Sequence, residues 1–91
     1  MDLKSGIRNP TQLKEAIEMA KSGDNYSDVI WAIHKYKWYN WYLNLHIKKD
    51  TPEDIENTQI FEELEKDYPQ IHSDVEKNVD YEVNKANRYN F

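Results

Sequence analysis

Three histidines, His34, His46 and His72, are the side chains of this 91-residue sequence best suited to proton transfer or metal binding. A helical metal pair needs a second ligand three or four positions away. His34 has no histidine or acid at that spacing, and His34 and His46 fall on different sides of the segment that carries them. His72-Ser73-Asp74 has the residue types of a catalytic triad, but a triad is made by geometry in space, and the run reads as a helix cap. The carboxylates Glu62, Glu63, Glu65 and Asp67 radiate around a helix, whereas glycosidase chemistry needs two carboxyls facing one cleft. Gly6 and Gly23 are isolated and cannot build a phosphate-cradling loop. With no cysteine, thiolate metal sites and disulfides are excluded. The expectation is a protein that is not an enzyme and holds no metal or cofactor.

What remains is recognition, and charge is its first carrier. The net charge of −5 is unevenly spread. Residues 50–82 contain twelve acids against two lysines, while residues 29–49 contain four lysines and no acid. An acidic stretch disfavours duplex nucleic acid and favours a basic protein as partner. Glu53, Asp54, Glu56, Glu62, Glu63, Glu65 and Asp67 are the candidate contacts. Charged residues make up 32% and apolar residues 38%, with a mean hydropathy of −1.03. The core must therefore lean on three Trp, seven Tyr and two Phe. No apolar stretch approaches the ~20 residues of a membrane span, and no signal peptide is visible in residues 1–10. A cytoplasmic location follows by default.

These residues must be positioned by helices, because only two glycines and three prolines interrupt the chain. Asn9-Pro10 with Gln12 opens a first helix over 10–22, with Leu13, Ala16, Ile17 and Ala20 as its stripe and Gly23 as its stop. Ser27 reads as the cap of a second helix over 28–48. Thr51-Pro52-Glu53-Asp54 starts a third, carrying Ile60, Phe61, Leu64 and Tyr68 and stopping before Pro69. Ser73-Asp74-Val75-Glu76 has the pattern of a capping box for a fourth, which can equally begin at Pro69. Ile71, Val75, Val79, Val83 and Ala86 form its stripe. Short connections favour a compact all-α bundle of three to four helices in a single domain over 1–91. The alternation in residues 43–48 also fits a short strand.

The second helix is the segment richest in information. On a wheel at 100° per residue it has two apolar faces: Val29, Ala32, Ile33, Tyr36, Leu43 and Ile47 on one side, and Ile30, Trp31, Trp38, Trp41, Tyr42 and Leu45 on the other. A surface helix has a single stripe. Either this is the central helix of the bundle, or Trp31, Trp38, Trp41 and Tyr42 form an interface for a partner or a second copy. The lysines beside these rings, Lys35, Lys37, Lys48 and Lys49, also resemble a stacking platform for single-stranded nucleic acid, which the overall acidity opposes. The run from Glu15 to Ile30 has the flavour of a helix-turn-helix, but its second helix is too long and too aromatic to read base edges.

The usage of Lys, Asn, Ile, Tyr, Asp and Glu resembles that of AT-rich genomes, such as low-GC bacteria and their phages. Small acidic proteins from such sources often act as stoichiometric inhibitors, among them anti-defence factors, immunity proteins and antitoxins, an analogy of size and charge. The first expectation is therefore a small acidic protein-binding module that antagonises a basic or nucleic-acid-handling target. The alternatives are an oligomeric assembly protein joined through the Trp face and a nucleic-acid-binding regulator.

Overall fold

The computed structural model describes residues 6–42 and 52–89, with side chains at 6–40 and 52–85. It is an all-α bundle: α1 (Pro10–Ser22), α2 (Tyr26–Lys37) continued by a π-helical turn (Trp38–Tyr42), α3 (Pro52–Asp67) and α4 (Pro69–Tyr89). No strand occurs among the described residues, and residues 43–48 lie outside them.

The boundaries follow from capping chemistry. Asn9 is extended and its side chain accepts from the Gln12 amide at 2.9 Å. Gln12 in turn accepts from the Arg8 amide at 2.8 Å, which ties the residue before the cap to the first turn of α1. Gly23 takes the left-handed conformation that closes α1 (φ 80°), its amide bonding the Ala20 carbonyl and that of Asp24 bonding Met19.

Asn25 is also left-handed (φ 50°). Two such residues reverse the chain within three positions, so α2 begins at Tyr26, and the expected cap Ser27 lies inside its first turn. The expected α-helix over 28–48 is likewise corrected, because α-helical bonding ends at Lys37 and widens into the π turn. Pro69 forces Tyr68 out of helix, and this single residue joins α3 to α4. Ser73 is consequently an interior residue of α4, and the capping box read at 73–76 is not used.

The core is built from Leu13, Ala16, Ile17 and Ala20 of α1, Ile60, Phe61 and Leu64 of α3, and Ile71, Val75 and Val79 of α4 around α2. Each of the larger aliphatic side chains contributes about 1.5–3 kcal/mol by leaving water. α2 packs against both α1 and α4. Val29, Ala32, Ile33 and Tyr36 are buried on one of its sides, and Ile30, His34 and Trp38 on the other. It is the central helix, and that accounts for its two apolar faces.

Candidate partner-binding surfaces

The lysines of α2 and the acids of α4 meet across the bundle. Lys35 donates to Glu82 at 2.9 Å, Lys37 donates to Glu76, and the Tyr26 hydroxyl donates to Asp74. Lys35 and Lys37 stand on opposite borders of the Ile30–His34–Trp38 ridge, so they bracket α4. Lys37 also sits over the Phe61 ring of α3, 5.1 Å from its centroid, and so touches three helices. The Lys35 hydrogen bond holds the Glu82 carboxyl below its usual pKa, although burial opposes the shift. Burial, with the Asp74 bond added, pushes the Tyr26 hydroxyl up to about 12.

The basic and acidic stretches of the sequence thus neutralise each other in part, and the acidity left over belongs to α3. This helix carries seven carboxylates against Lys66 alone. Its buried face is Asn57, Ile60, Phe61 and Leu64. Glu53, Glu62, Glu63, Glu65 and Asp67 are exposed, and Asp54 and Glu56 are half-buried. They do not form one cluster. Glu63 and Asp67 face a groove towards α1, lined also by Lys14, Ile17, Glu18, Lys21, Ile60, Leu64 and Tyr68. Glu62 and Glu65 border a second depression with Lys37, Thr58, Phe61 and His72. His72 lies 3.9 Å from Glu65 and 3.5 Å from Glu76, where it serves neither as a cap nor in a triad.

Between these depressions runs the outermost ridge of α3: Ile55, Gln59, Glu62 and Lys66, at helical spacing. Ile55 is 53% exposed in the midst of the acids. The sequence reading missed it. The signal was present, because Ile55 lies some 140° around the wheel from Ile60 and so falls off the buried stripe.

The aromatic set is divided. Trp31 is 57% exposed, but Trp38 is 7% exposed and belongs to the core, so of the two alternatives for this face the buried one holds at Trp38. The cause is α4, which reaches the π turn and covers the ridge on which Trp38 follows His34. Trp41 and Tyr42 lie in the π turn with side chains outside the described set. What stays outside on α2 is the line Trp31, Lys35, Tyr39, with Lys35 5.1 Å from the Trp31 ring centroid and 5.8 Å from that of Tyr39.

One buried group was also missed. His34 is 2% exposed, with Nε2 3.5 Å from Glu82 and its ring edge-on to Trp31 at 5.5 Å. Nδ1 is buried and makes no hydrogen bond of good geometry. Burial lowers its pKa, against the opposing pull of Glu82. Its position one turn from both Ile30 and Trp38 was the available sign of burial. Among the described residues no group of three or more acidic, His or Cys side chains is placed to hold a metal ion, and no helix is long and apolar enough to cross a membrane. Comparison with family models, curated proteins and solved structures gives no match.

Proposed function

We propose that this chain is a small protein-binding module that presents α3 to a basic surface of another protein. In this reading it acts stoichiometrically, as an inhibitor or antagonist of a basic or nucleic-acid-handling target, in the manner of anti-defence, immunity or antitoxin proteins. The observation that carries the reading is Ile55, an aliphatic side chain left 53% exposed in the first turn of the most acidic helix, between Asp54 and Glu56. Carboxylates around an apolar anchor have the composition of a docking site: the charges speed encounter and select the partner, and the desolvated anchor slows release. The pairing of Glu76 and Glu82 with lysines of α2 supports the same assignment, because it leaves α3, with seven carboxylates and one lysine, as the most acidic element.

The test is affinity capture from the native host with three baits: the wild type, a Glu62→Lys/Glu63→Lys/Glu65→Lys variant and an Ile55→Asp variant. The expected result is one protein retained by the wild type, lost with both variants, and released progressively as salt rises. Retention that ignores both salt and charge reversal refutes the reading.

A second reading rests on the Trp31–Lys35–Tyr39 line, whose two exposed rings suit a contact between copies of the chain. Sedimentation showing a monomer at every concentration excludes it. The nucleic-acid platform has less support, since Lys35 and Lys37 already serve Glu82 and Glu76.

A further inference from the structure

The groove between α1 and α3 has a volume of about 240 Å³, an apolar floor of Ile17, Ile60 and Leu64, and Tyr68 at one end. That end already holds a cation. Lys21 reaches from the last turn of α1 to lie 4.5 Å from the centroid of the Tyr68 ring, and it donates to Glu18 at 2.9 Å. The Glu18 bond, with the charge of Asp67 behind it, favours the ammonium form. A ring face flanked by two carboxylates is a cation receptor. Here it is filled by a lysine whose ion pair is to Glu18 of its own helix.

We propose that this groove receives an arginine-bearing apolar segment of the partner protein, with the guanidinium taking the place of Lys21 over Tyr68. The inference rests on the reading of α3 as the partner-binding helix and gives that partner a chemical description. Arginine fits better than lysine, because its planar group stacks on a ring while bonding Glu18 and Asp67 side-on. The neighbouring apolar residue of the segment lies on Ile17, Ile60 and Leu64. Lys21 thereby acts as an internal placeholder that an incoming arginine must displace.

The placeholder role predicts the sign of a substitution. Lys21→Gln should raise affinity for an arginine segment about two- to fivefold, the range expected when a competing exposed cation–π contact is removed. Tyr68→Leu should lower it by a similar factor. The probe is a short amidated peptide with one arginine between leucines, titrated into the isotopically labelled full chain and followed by amide chemical shifts. A matched peptide with citrulline for arginine serves as control. Three results are expected: shifts confined to residues 14–21 and 60–68, a gain with Lys21→Gln larger than with Lys14→Gln, and loss of that gain with citrulline. Unchanged or weaker binding by Lys21→Gln overturns the proposal, as does equal gain from Lys14→Gln. Shifts centred on Ile55 and Glu62 instead of the groove overturn it while leaving the α3 reading intact. Absence of shifts anywhere at millimolar peptide removes the groove, and the capture experiment then judges α3 separately.

Discussion

The hydrogen bond between Asn57 and Tyr36 joins α3 to α2 beneath the proposed binding surface, and its removal can be worked through quantitatively. Asn57 Nδ2 donates to the Tyr36 hydroxyl at 2.7 Å, and Asn57 is 1% exposed with its Oδ1 already lacking a partner. Tyr36→Phe deletes the acceptor and leaves the amide with a second buried group unsatisfied, which costs about 1–3 kcal/mol. In a domain of this size each kcal/mol lowers Tm by roughly 4–8 °C. Asn57→Leu removes the orphaned acceptor along with the donor and keeps side-chain bulk, so the Tyr36→Phe/Asn57→Leu double variant has no stranded amide left. The double variant should therefore be more stable than the sum of the two single losses implies, by about 1 kcal/mol or more. Urea denaturation followed by far-UV circular dichroism on the four proteins measures this coupling. Additivity within ~0.5 kcal/mol would show that the pair is not energetically linked and would refute the reasoning.

Two further outcomes follow from burial. The pKa of His34 is depressed in the folded chain, by burial first, below its ordinary value of 6.5, so the unfolded chain binds the extra proton as pH falls below 6.5. Stability should be level above that value and decline from pH 6.5 towards 5, and a His34→Gln variant should lack this decline when urea midpoints are compared across the range. For the tryptophans, Trp38→Ala should cost ~3–5 kcal/mol and Trp31→Ala, which loses its contacts with His34 and Lys35, about 1 kcal/mol. Equal losses in chemical denaturation would contradict the division between a core ring and a surface ring.

How much was legible beforehand depended on the range over which each signal acts. Asn9, Gln12, Pro10 and Gly23 bound α1 through contacts within four positions, and Pro52 and Pro69 mark the starts of α3 and α4 in the same local way. Among the described residues the apolar stripes likewise follow from spacing, except that Tyr68, expected on the stripe of α3, is left 42% exposed; Leu43, Ile47 and Ala86 lie outside the described side chains. Ser27 and Ser73 misled because the same capping residue types occur inside helices whose starts are decided elsewhere, by the left-handed Asn25 in one case and by Pro69 in the other. The partition of the acids was out of reach. Lys35 with Glu82 and Lys37 with Glu76 are separated by 47 and 39 positions, and only the packing of α4 on α2 joins them. Without it, Glu76 and Glu82 look as available as Glu62 and Glu65. Trp38 illustrates the same limit, since a wheel shows that a face is apolar and leaves open what covers it.

The π turn at Trp38–Tyr42 bears on where this chain tolerates changes in length. Adding or deleting one residue in an α-helix swings every later side chain by about 100°. Within Tyr26–Lys37 that rotation would carry His34 and Tyr36 off their buried faces and put both lysines out of reach of their carboxylates. A π turn instead holds an additional residue as a local widening, and beyond its first residue, Trp38, it stands after the side chains whose register α1 and α4 dictate. Sequences descended from the same ancestor should therefore vary in length at 39–42 while keeping an invariant count of residues from Gly23 to Trp38.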